Sequence, residues 1–146
     1  MSVRTFALIY GLLFAVIGIL GFIPGLVTPH DSVEHQLAIE QGAGDLLGLF
    51  PTNVLHNIVH LAFGVWGLLV YRSTSAAIGY ARVVAVVYTV FMIMGLIPGL
   101  DTVMGFVPLH GNDVWLHALL AAIAAYFGFI RHADLDHLNR PAARGT

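Results

Sequence analysis

The 146-residue chain contains no cysteine and no lysine, and charge of either sign is scarce: six arginines and eight acids in all. The missing cysteines exclude disulfide staples, thiolate metal sites and CxxCH haem attachment. The missing lysines exclude Schiff-base chemistry such as a retinal linkage. Charged residues make up 10% of the chain, against roughly 25% in an ordinary soluble domain. With a net charge of -2 and no basic run, nucleic acid is not an expected partner. HExxH, P-loop and GxSxG patterns are absent, and the apolar runs hold no glutamate for the Glu-x-x-His pairs of di-iron bundles. What is present is apolar: 58% of residues are hydrophobic and the mean hydropathy is +0.86. The sequence reads as a non-enzymatic membrane protein whose first partner is the lipid bilayer.

Intervals without charge locate the spans. Arg4 and Asp31 enclose 26 uncharged residues, Asp45 and Arg72 another 26, Arg82 and Asp101 18, and Asp113 and Arg131 17. A spanning helix needs about 20 apolar residues, so four transmembrane helices are expected near 5–26, 53–71, 78–98 and 112–131. Continuous rather than alternating apolar runs argue against a β-barrel. Arg4, Arg72, Arg82, Arg131, Arg140 and Arg144 all flank one end of these helices, whereas the connections holding Asp31, Glu34, Glu40, Asp45 and Asp101 have no basic residue. The positive-inside rule then places both termini in the cytoplasm of a bacterial inner-membrane protein. Pro24-Gly25 and Pro98-Gly99 are read as helix stops, and Asn53 and Asn112 as N-caps. Small residues one turn apart, Gly11, Ala15 and Gly18, Gly64 and Gly67, Ala81 and Ala85, and Ala121, Ala125 and Gly128, predict close helix packing. The fold class is all-α: one four-helix bundle over 1–146, with a cytoplasmic tail at 132–146. The outer loop, roughly 27–52, is expected to hold a short interfacial segment through Val33, Leu37 and Leu46.

The chain also repeats itself. Gly21-Phe22-Ile23-Pro24-Gly25-Leu26 recurs as Gly95-Leu96-Ile97-Pro98-Gly99-Leu100, and Gly48-Leu49-Phe50-Pro51 as Gly105-Phe106-Val107-Pro108. Nine residues after each of the latter prolines stands a histidine, His60 and His117. Two tandem hairpins, 5–72 and 78–131, related by a pseudo-twofold axis along the membrane normal, follow from this pattern. The segments His56-Asn57-Ile58-Val59-His60-Leu61 and Gly111-Asn112-Asp113-Val114-Trp115-Leu116-His117 resemble a bacterial family of small membrane proteins known as domain of unknown function 4383. The resemblance covers nearly all of residues 5–131 and implies a four-helix protein of the inner membrane. It lends no activity.

His56 and His60 stand one helical turn apart, and Asp113 and His117 hold the equivalent positions in the repeat. Ionisable side chains within a span are costly and mark function by default. Neutral imidazoles at i and i+4 can share a metal ion, with Asp113 as an oxygen ligand or as an orienting partner. His60 and His117 could equally serve as axial ligands of a b-type haem or a chlorin. A third reading is a polar packing network without any ligand. The outer-loop cluster His30, Asp31, Glu34 and His35 is a weaker metal candidate. On this basis the leading expectation is a small scaffold or accessory subunit of a larger membrane complex, or a homo-oligomer. A metal-, haem- or chlorin-binding protein is the alternative, and a small ion or solute transporter the weaker one.

Overall fold

Residues 1–29 and 37–131 are described by the computed structural model. The Ser2 hydroxyl accepts from the Thr5 amide and starts α1 (Val3–Leu20). Beyond it the chain turns through Pro24-Gly25, with Gly25 at φ +88°. Three short strands follow, β1 (Val27–Pro29), β2 (Gly44–Leu46) and β3 (Phe50–Thr52). They form an antiparallel sheet in the order β1-β2-β3, with Thr28 opposite Asp45 and Asp45 opposite Pro51. Both prolines sit on edge strands, where a missing donor is tolerated. The side chain of Asn53 accepts from the His56 amide at 2.9 Å and starts α2 (Val54–Val70). Ser73 caps α3 (Thr74–Gly95), and α4 (Asn112–Ala125) runs on into a π-helical segment, Tyr126–Ile130. Arg82 Nε donates to the Gly128 carbonyl of that segment at 2.9 Å.

The structure corrects the expected four spans. Among the described residues four helices pack together, but three are long and apolar enough to cross a membrane: Val3–Leu20, Thr74–Gly95 and Asn112–Ile130. Helix α2 has 17 residues. At 1.5 Å per residue that is about 26 Å, at the bottom of the roughly 17–25 residues that a spanning helix takes. The uncharged interval 46–71 was long enough, but it begins with strand and turn residues rather than helix. The placement of both termini in the cytoplasm rested on four spans and does not follow from three. The all-α expectation is corrected as well, because 27–52 contains the sheet. Leu46 lies in its central strand, and Val33 falls outside the described residues. Three-residue strands interrupted by proline have too little periodicity to be read from sequence. Finally, α4 is capped by Gly111 at φ +64° without a side-chain bond, and Asn112 is its first helical residue.

Helices α1 and α2 meet backbone to backbone. A Cβ at Gly64 would lie 2.5 Å from the Ala15 amide nitrogen, and one at Gly11 2.8 Å from that of Leu68. Against this pair packs the pair α3 and α4, whose Ala81, Ala85, Ala121 and Ala124 are buried. The aromatic core between the pairs holds Phe6, Tyr10, Phe14, Tyr80 and Tyr88, all buried. Tyr10 Oη donates to the Leu120 carbonyl at 3.1 Å, and Tyr80 Oη to the Phe63 carbonyl at 3.2 Å. A hydroxyl buried away from water needs such an acceptor, and helix carbonyls are what the interior of a bundle offers.

Candidate metal centre

The first turns of α2 and α4 are held side by side by their preceding loops. Asn53 Nδ2 donates to the Ile39 carbonyl at 3.1 Å and to the Phe106 carbonyl at 2.7 Å, so the residue that caps α2 also ties it to the segment leading into α4. Asn112 Nδ2 returns the link to the Leu49 carbonyl at 3.1 Å. Thr52 Oγ1 donates to Asn57 Oδ1, and Asn57 Nδ2 donates to the Gly21 carbonyl, fixing the start of α2 against the end of α1. Of these side chains Thr52, Asn53 and Asn57 are buried and satisfied, as buried polar groups must be.

The histidines held in this frame behave differently. His56, His60 and His117 are buried, and one ring nitrogen from each lies within 4.8 Å of those of the other two. Among the described residues, neither nitrogen of His60 has a hydrogen-bond partner, and neither does His56 Nδ1. Asp113, only 2% exposed, places Oδ2 3.2 Å from His117 Nδ1. The distance is that of a hydrogen bond, but the alignment is not, so both atoms remain unpaired. The rings of His56 and His117 stack with centroids 6.2 Å apart, and those of His56 and His60 meet edge-on at 4.6 Å.

Three aromatic residues surround the histidines, and sequence reasoning missed them: Phe14, Tyr88 and Phe91, the last 5.7 Å from His117. Phe14 lies 5.7 Å from His60, Tyr88 lies 4.8 Å from His117, and the two rings stack on each other at 5.2 Å. Phe14 and Tyr88 stand seven residues before the glycines that open the two Ile-Pro-Gly-Leu segments, so the repeat itself was the signal that could have found them. Tyr88 Oη is buried without a partner among the described residues.

A tetrahedral ion with nitrogen ligands at about 2.0–2.1 Å sets those ligands about 3.3 Å apart. The three imidazoles are within about an ångström or two of that arrangement, reachable by ring rotation. The donor set suits a first-row transition metal, since imidazole is a ligand for zinc, copper, iron and nickel. Asp113 beside His117 Nδ1 is the usual partner of a metal-bound imidazole, which ligates through one nitrogen and donates from the other. A haem or chlorin does not fit between His60 and His117. The cavity beside the cluster measures about 110 Å³, against roughly 300–1,000 Å³ for sites that enclose larger ligands. The loop residues His30, Asp31, Glu34 and His35 and the tail 132–146 lie outside the described residues.

No curated protein and no solved structure matches the chain. A family match covers residues 4–130, from the start of α1 to the end of the π-helical segment, and so takes in all four residues of the cluster. The chain belongs to the family described as Domain of unknown function (DUF4383).

Proposed function

We propose that this multi-pass membrane protein binds a first-row transition-metal ion through His56, His60 and His117, with Asp113 orienting His117. The observation that carries the proposal is His60, whose two ring nitrogens are buried without a partner among the described residues, beside two further imidazoles. An unsatisfied buried polar group costs about 1–3 kcal/mol, and a metal ion is the species that removes this cost at several nitrogens together. The reading is one of binding rather than catalysis. Thr52, the hydroxyl in the wall of the adjoining cavity, is committed to Asn57 rather than to an imidazole base. The accessory-subunit reading has no residues of its own, since exposed Leu12, Leu69 and Leu119 are what any lipid-facing helix carries.

The duplication belongs to the same proposal. Gly25 and Gly99 have φ of +88° and +87°, and Leu47-Gly48 and Met104-Gly105 are matched pairs at positive φ. The equivalent histidines His60 and His117 lie with ring nitrogens within 4.8 Å of each other, which supports a site shared between two hairpins of one design. A bacterial inner membrane is the proposed location, with the arginine-bearing connection between α2 and α3 on the cytoplasmic face.

Cobalt(II) titration of metal-stripped protein in mild detergent tests the site. Visible d–d bands that saturate at a single ion per chain are expected, and their loss in His60→Ala and His117→Ala with helical circular dichroism retained. A spectrum no different from free aqueous cobalt would overturn the proposal.

A further inference from the structure

We infer that the remaining coordination position of this metal opens on the cavity between α1 and the sheet and takes a neutral ligand of two or three heavy atoms, of the class of dioxygen or nitric oxide. The inference rests on the metal reading above and asks what its site is shaped to admit. Three imidazoles leave a four-coordinate ion one position short, the arrangement of sites that bind exchangeable ligands. Asp113 is turned toward His117 Nδ1 and is not among the atoms that converge on the ion.

The cavity reaches the cluster directly, because His56, His60 and Asp113 form part of its wall. Its other walls are apolar, with Ile17 and Leu20 from α1, Phe50 from β3 and Leu116 from α4. Thr52 Oγ1, the hydroxyl there, is already bonded to Asn57. Among the described residues no arginine lines it, so an entering anion would lose its hydration without a compensating cation there. A neutral, sparingly polar molecule loses almost nothing on entry and is soluble in the surrounding hydrocarbon. Leu47, 56% exposed, stands at the rim. The volume of about 110 Å³ is below the roughly 150 Å³ of an apolar cavity that admits benzene. Diatomic and triatomic molecules therefore fit.

Nitric oxide bound to iron(II) is a direct probe. Protein loaded anaerobically with iron(II) and exposed to nitric oxide should give the high-spin EPR signal of a non-haem iron nitrosyl. Leu20→Trp, which fills the cavity from a helix that carries no ligand, should retain iron and weaken nitric oxide binding by about tenfold or more. Ile17→Phe, a smaller insertion from the same helix, should act in the same direction. Leu119→Trp, on an exposed face of α4, should leave the signal unchanged. Iron retained with no nitrosyl signal in the unaltered protein overturns this inference and leaves the metal reading standing. Failure to retain iron overturns this inference alone where cobalt(II) binds, and both readings where it does not. A full signal in Leu20→Trp and Ile17→Phe removes the cavity from the proposal.

Discussion

Burial of both ring nitrogens without a partner among the described residues is what separates His60 from Thr52, Asn53 and Asn57. Thr52, Asn53 and Asn57 are equally buried, yet each has an acceptor or a donor in place. If His60 is a ligand, the metal-free protein carries an avoidable penalty there. His60→Leu should therefore raise the stability of the metal-free protein by about 1–3 kcal/mol while abolishing cobalt binding. Denaturant midpoints in detergent would measure this, and a destabilised variant would point to a packing network instead. Asp113 makes a separate prediction. Asp113→Asn keeps the side-chain shape but gives up the charge that favours His117 Nδ1–H as donor, so metal affinity should fall about 10–100-fold with the fold intact. Competition with a chelator would read this, and an unchanged affinity would remove Asp113 from the site. The spacing of these four residues was legible in the sequence. That His60 lacks a partner among the described residues was not, because partnership depends on where the loops and neighbouring helices lie.

At the scale of elements, the glycine stripes set how closely α1 and α2 approach. Gly64→Ala places a methyl group 2.5 Å from the Ala15 nitrogen, where backbone must shift. Overpacking of this kind costs about 1–3 kcal/mol. Gly79, on the exposed face of α3, has nothing within 4 Å of its Cβ position. There the same substitution should be neutral or stabilise by up to about 1 kcal/mol through helix propensity. The unfolding midpoint of Gly64→Ala should fall while that of Gly79→Ala holds or rises, and equal shifts would mean that contact at Gly64 does not limit packing. The stripes could be read from sequence because small residues at helical spacing have no other common purpose in lipid. Helix ends were harder. An absence of charge marks where a chain can enter a membrane, but it cannot tell helix from the turn and strand that precede α2.

For the whole molecule, the proposed site joins α2 to α4 and thereby one hairpin to the other. Metal that binds only the folded state stabilises it by mass action, by about 2.7 kcal/mol at a hundredfold excess over Kd. Added zinc or cobalt should raise the unfolding midpoint, a chelator should reverse the change, and His117→Ala should be insensitive to both. A midpoint indifferent to metal in the unaltered protein would detach the site from the stability of the bundle. Three helices suited to crossing the bilayer and one shorter helix also leave the cluster near the end of the bundle that carries the sheet. There the sheet and the tied loops, rather than lipid, cover it.

Scarcity of charge, the positions of the arginines and the internal repeat determined, without coordinates, that this is a helical membrane protein with paired histidines at equivalent places. Composition and periodicity are local properties, and lipid makes local demands on a chain. Tertiary structure alone decided that α2 begins only at Val54, that the outer connection folds into a sheet, and that the cavity is sized for a few atoms and not for a haem. Each of these depends on residues distant in sequence meeting in space. The imidazole of His60 becomes a candidate ligand only because nothing that packs around it among the described residues accepts or donates a hydrogen bond.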